Sequence, residues 1–287
     1  MTFNDDAKYS GKGVRKSGRR TGLAVGGGGL GLVAIVLLSQ LLGVDLTGLV
    51  GGGTAGTSQG EDTALTNCDT GADANVDVEC RVGFTRDSLE DYWSEQAPAM
   101  GIGYVSPTIR LFGGSVDTGC GGATSAVGPF YCPADQQIYL DTAFYDELRT
   151  QFGATAGPLS QLYVVGHEWG HHIQHVTGIT EGLDLRATGS NSDSVKLELQ
   201  ADCFAGAWLG DASDIDASNG EPFLEPITKS QIADALSAAS AVGDDRIQKS
   251  AGAAVNPEGW THGSSAQRQK WFQTGFSGGP DSCDTFA

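Results

Sequence analysis

Basic side chains are scarce in this chain. Its 287 residues hold 17 Lys and Arg against 35 Asp and Glu, for a net charge of −18. Residues 1–20 carry +4 of this, from Lys8, Lys12, Arg15, Lys16, Arg19 and Arg20 against Asp5 and Asp6, which leaves −22 for the remainder. So acidic a remainder excludes nucleic acid as a partner, since phosphate binding needs clustered cations. None of the six cysteines forms a C-x-x-C pair, so a second, thiolate-held metal site is not expected. The glycine-rich stretch from Gly113 to Gly128 lacks G-x-x-x-x-G-K-[ST], which excludes a phosphate loop. There is no internal repeat.

Histidine is rarer still: five in all, four of them between positions 167 and 175. His167-Glu168-Trp169-Gly170-His171 reads H-E-x-x-H. Four residues of helix turn through about 400°, so both imidazoles fall on one face, one turn apart, at a separation suited to a single tetrahedral ion. Glu168 is adjacent but angled away from ligation, where it can take a proton from a metal-activated water. A solvated helix face carrying two histidines is the plain alternative.

A catalytic zinc takes three protein ligands. The extended pattern with a third histidine would place it at position 177, which is Thr177. A glutamate on a second helix is the other common solution. The segment from Ser192 to Leu209 offers one, with a Ser192 or Asp193 cap. Glu198 is the expected third ligand. Asp202, four residues on, is placed to accept the second ring N–H of a ligating histidine. His175 stands about 12 Å along the axis from His167, too far to share its ion. It and His172 read as packing or surface residues.

With both helices in view, the chain resembles the bacterial family described as "putative neutral zinc metallopeptidase", of the gluzincin type. The resemblance rests on Gly166–Gln174 (GHEWGHHIQ), Glu198–Gly206 (ELQADCFAG), Tyr131–Asp141 (YCPADQQIYLD) and Thr261–Phe272 (THGSSAQRQKWF). It implies Zn2+ at His167, His171 and Glu198, with Glu168 as general base, acting on a peptide or protein substrate. In gluzincins a late histidine commonly stabilises the oxyanion, and His262 is the residue here that fits. It precedes a helix start at which Ser264 and Gln267 have capping-box spacing. Two alternatives stay open: a metal-stabilised binding protein without catalysis, and a zinc amide hydrolase acting on cell-wall material.

Thr21 to Val44 carries no charge over 24 residues. That length spans about 30 Å of hydrocarbon as a helix. The expected division is a basic cytoplasmic tail (1–20), a single transmembrane helix (21–44), a Gly/Ser/Thr linker (45–66) and an extracytoplasmic domain (67–287). All six cysteines lie beyond the apolar stretch, which suits an oxidising compartment. Of fifteen pairings, spacing favours Cys68–Cys80 and Cys120–Cys132. Cys203 would then join Cys283, unless Cys203 is a buried free thiol. The domain is expected to be α+β and helix-dominated, zincin-like, with a small sheet ahead of the zinc helix. Helices are expected from Asp87 or Ser88 and over 142–152, 159–177, 193–210, 228–242 and 264–276, with a strand over Gln136–Asp141. That strand is a candidate edge for pairing with an extended substrate.

Overall fold

The computed structural model describes residues 2–17 and 62–287. Residues 18–61, which include the expected membrane helix and most of the linker, lie outside the described residues. Among the described residues no helix is long and apolar enough to cross a membrane. The fold is α+β and helix-rich. Its helices are α1 (Gly71–Val76), α2 (Val78–Ala99), α3 (Phe144–Thr150), α4 (Pro158–Val176), α5 (Asp193–Asp211), α6 (Lys229–Ala241), α7 (Asp244–Ser250) and α8 (Ser265–Gly278). A sheet of four strands has the order β1 (Val14–Lys16), β2 (Thr108–Leu111), β6 (Gln137–Leu140), β5 (Phe130–Cys132). β3 (Ser115–Thr118) and β4 (Gly121–Thr124) form a separate hairpin. β1, β2 and β6 run parallel, and β5 is antiparallel to β6.

Local chemistry sets the ends of the helices that matter. Pro158 opens α4, where its missing N–H and fixed φ cost nothing. The Ser192 hydroxyl accepts the Val195 N–H at the start of α5. At α8 the capping box forms as its spacing implies: Gln267 N–H donates to Ser264 Oγ (3.2 Å) and Ser264 N–H to Gln267 Oε1 (3.0 Å). α2 departs from expectation. It starts well before Asp87, because Asp77 caps it by accepting from Glu79 N and Cys80 N. Asp87 is a buried mid-helix residue instead.

Close helix contact brings the later elements together. A Cβ on Gly170 would lie 2.9 Å from the Ala201 Cα, so only glycine lets α4 and α5 meet at this level. A Cβ on Gly275 would lie 1.9 Å from the Cys203 carbonyl oxygen, which seats α8 equally tightly on α5. Trp93, Trp169, Trp208, Tyr163, Phe204 and Phe272 fill the space between. Three disulfides, Cys68–Cys80, Cys120–Cys132 and Cys203–Cys283, match the expected pairing, and no free cysteine is present among the described residues.

Two expectations are corrected. Residues 2–17 are not a tail apart from the domain. Phe3 is fully buried and packs edge-on against Phe84, with ring centroids 5.6 Å apart. β1 joins the sheet through Val14–Ile109 and Lys16–Leu111 pairing. Lys16 also exchanges backbone hydrogen bonds with Thr63 (2.8 and 3.0 Å). The domain therefore takes in residues 2–17 and does not begin at residue 67. The strand at Gln136–Asp141 is interior as well, since β6 is paired with both β2 and β5. The edges of the sheet, among the described residues, are β1 and β5, and β5 is the edge beside β6.

Candidate metal centre

α4 presents His167, Glu168 and His171, and α5 presents Glu198 and Asp202. The Nε2 atom of His167 lies 3.2 Å from Glu198 Oε2, and that of His171 lies 3.5 Å from Glu198 Oε1. One donor atom from each of the three side chains falls within 4.8 Å of the other two. Two imidazole nitrogens and one carboxylate oxygen form a donor set that suits zinc.

The opposite ring nitrogens are already engaged. His167 Nδ1 lies 2.9 Å from Asp202 Oδ1, as the sequence implied. His171 Nδ1 lies 2.8 Å from Gln174 Oε1. Both Nε2 lone pairs are thereby left for a cation. Asp202 is itself fixed by Arg268, whose Nε donates to Oδ2 (2.8 Å) and Nη2 to Oδ1 (2.9 Å), and by the Tyr163 hydroxyl. Arg268 also comes within 3.8 Å of Glu198.

The electrostatics agree with a cation site. Burial works against charge on His167, but Asp202 and Glu198 outweigh it and raise its pKa to about 10. Burial also opposes ionisation of Glu198, yet His171, His262 and His167 hold that carboxyl well below the usual range. Burial lifts the Glu168 carboxyl, with His167 and His171 pulling against it. Glu168 is nearly buried and does not belong to the donor cluster.

His167, Glu168, His171 and Glu198 line one cavity of about 530 Å3. His262 reaches the same cavity from the loop between α7 and α8. Asp244 organises that loop: Oδ2 accepts the N–H groups of Thr261, His262 and Gly263 at 2.7–2.9 Å, and Oδ1 lies 3.4 Å from His262 Nδ1. Burial lowers the pKa of His262, but Glu198 and Asp244 raise it overall. The apolar wall includes Phe130, Phe144, Phe152, Val242 and Ile247.

His172 and His175 stay outside the cluster, as expected. His172 is fully buried, its Nε2–H donating to the Val105 carbonyl (2.6 Å) and its Nδ1 accepting from the Tyr131 hydroxyl (3.1 Å). Burial drops its pKa to about 4. Sequence reasoning missed Arg268, Gln174, Asp244 and the Tyr163 hydroxyl.

Two helices holding an imidazole pair against a glutamate form a candidate His-His-Glu metal site. The chain belongs to the family described as "Putative neutral zinc metallopeptidase", which matches residues 3–286. It is 51% identical over 225 residues to uncharacterized protein Rv2575 of Mycobacterium tuberculosis, covering 78% of this chain and 75% of that protein. It is 38% identical over 288 residues to uncharacterized protein YpfJ of Escherichia coli K12, covering 98% and 94%. No solved structure matches the chain.

Proposed function

We propose that the protein is an extracytoplasmic, membrane-associated zinc metallopeptidase that hydrolyses peptide bonds. The observation that carries this reading is Glu168, a carboxylate left out of the His167–His171–Glu198 cluster but lining the same cavity. A bound zinc ion would supply Lewis acidity and bring the pKa of its water toward neutrality. Glu168 takes the proton of the attacking water and delivers it to the leaving amine. His262, steadied by Asp244, donates to the oxygen on which negative charge develops. The exposed side of β5, whose Phe130 and Tyr131 line the cavity, offers backbone groups to an extended peptide.

Three disulfides support an oxidising compartment. The uncharged stretch from Thr21 to Val44 supports membrane association. Acidic character of the chain beyond residue 20 argues for a peptide partner over a nucleic acid.

The test is purified full-length protein in detergent, incubated with unstructured polypeptide before and after chelation. Hydrolysis that stops with chelator and returns with zinc is expected. A zinc-loaded protein inert toward varied polypeptides would favour a non-catalytic metal protein or an amide hydrolase of cell-wall material.

A further inference from the structure

We propose that Gln174 and Gln200 are positioning residues: a one-way amide relay, anchored on the Cys283 carbonyl, that locks His171 with its proton on Nδ1. The relay is a buried chain of hydrogen bonds leading away from the metal cluster. His171 Nδ1 lies 2.8 Å from Gln174 Oε1. Gln174 Nε2 donates to the Leu197 carbonyl (2.7 Å) and to Gln200 Oε1 (3.2 Å). Gln200 Nε2 donates to the Cys283 carbonyl (2.9 Å). Gln174 is 1% exposed and Gln200 4%, so water does not substitute for any partner.

The direction of the chain follows from what each atom can do. Backbone carbonyls only accept. The Cys283 carbonyl therefore requires the NH2 end of Gln200, which turns Gln200 Oε1 toward Gln174. The Leu197 carbonyl and Gln200 Oε1 both require the NH2 end of Gln174. Gln174 Oε1 is left facing His171 and can only accept, so Nδ1 carries the proton. The Nε2 lone pair is then the free one, on the side of Glu198. Reversing either amide would set acceptor against acceptor in a buried space, at a cost of about 1–3 kcal/mol for each unmade bond.

The two histidines are thus held by different chemistry. His167 leans on a carboxylate whose charge is balanced by Arg268. His171 leans on a neutral amide. A second carboxylate at position 174 would add buried negative charge. The far anchor is covalently fixed, since Cys283 is bonded to Cys203 on α5. The C-terminal segment therefore reaches the metal centre through two side chains.

This inference rests on His171 being a ligand, and the test separates its failure from failure of that reading. In the metal-free full-length protein, 15N chemical shifts of the His171 ring are recorded at a pH where the ring is neutral. An Nδ1–H pattern is expected in the wild type, and a mixed pattern in Gln174→Leu. By chelator competition, Gln174→Leu should bind zinc roughly 10–100-fold more weakly, and Gln200→Leu should show a smaller loss in the same direction. A residue with only a structural role would lower the unfolding midpoint and leave ring shifts and zinc affinity of the folded protein unchanged. An Nε2–H pattern for neutral His171 in the wild type overturns the relay, and this readout needs no variant to fold. Unchanged zinc affinity in both variants overturns it equally.

Discussion

Arg268 grips Asp202 with two parallel hydrogen bonds, Nε to Oδ2 at 2.8 Å and Nη2 to Oδ1 at 2.9 Å, across 66 residues of chain. Neither side chain has appreciable exposure. The pair joins α8 to the Asp202–His167 contact, so the last helix takes part in holding His167. Arg268→Met strips the counter-charge from a buried carboxylate and should cost about 3–5 kcal/mol. Urea unfolding of the metal-free protein measures this. A loss under about 1 kcal/mol, as for exposed ion pairs, would show that the contact is of no consequence.

Glu168→Gln keeps the shape of the side chain and removes its basicity. Zinc content should stay whole, because Glu168 is outside the donor cluster. Peptide hydrolysis should fall by about 10²–10⁴-fold, the range for a positioned proton-transfer group. Metal analysis and turnover on the same sample check both halves.

His262→Phe should lower kcat with little change in KM, since the ring would act on charge that develops during reaction. Removing one oxyanion donor typically costs about 10²–10³-fold in enzymes that use one. Zinc stoichiometry should not change. Equal turnover in the variant and the wild type would strip His262 of its role and leave the Asp244 loop as a structural turn.

Phe3→Ala tests the place of the N-terminal segment. Phe3 has no exposure and touches Phe84, so its loss should cost about 3–5 kcal/mol. A flexible tail residue would cost nothing. Chemical denaturation of the full-length chain distinguishes the two.

Much of the centre was legible because its spacing is local. His167 and His171, and likewise Glu198 and Asp202, are each four residues apart on one helix, and helical periodicity alone puts each pair on one face. The capping box at Ser264 and Gln267 was legible for the same reason. Arg268, Tyr163 and Gln200 act across dozens of residues or more, and no spacing rule signals such pairings. β6 was recognisable from its composition, but composition is silent about neighbours, so its interior position came only with the sheet order. β1 has three residues, and the buried Phe3, Ala7 and Val14 around it are too sparse to form a period. Charge dominated there and suggested a tail.

The Lys16–Thr63 pairing has a consequence for any processed form of the protein. The described residues on either side of 18–61 are held side by side by this pairing. A protease cutting once within 18–61 would release nothing. The short piece would stay docked through β1 and Phe3, and a single purified particle would yield two N-terminal sequences in equal amount.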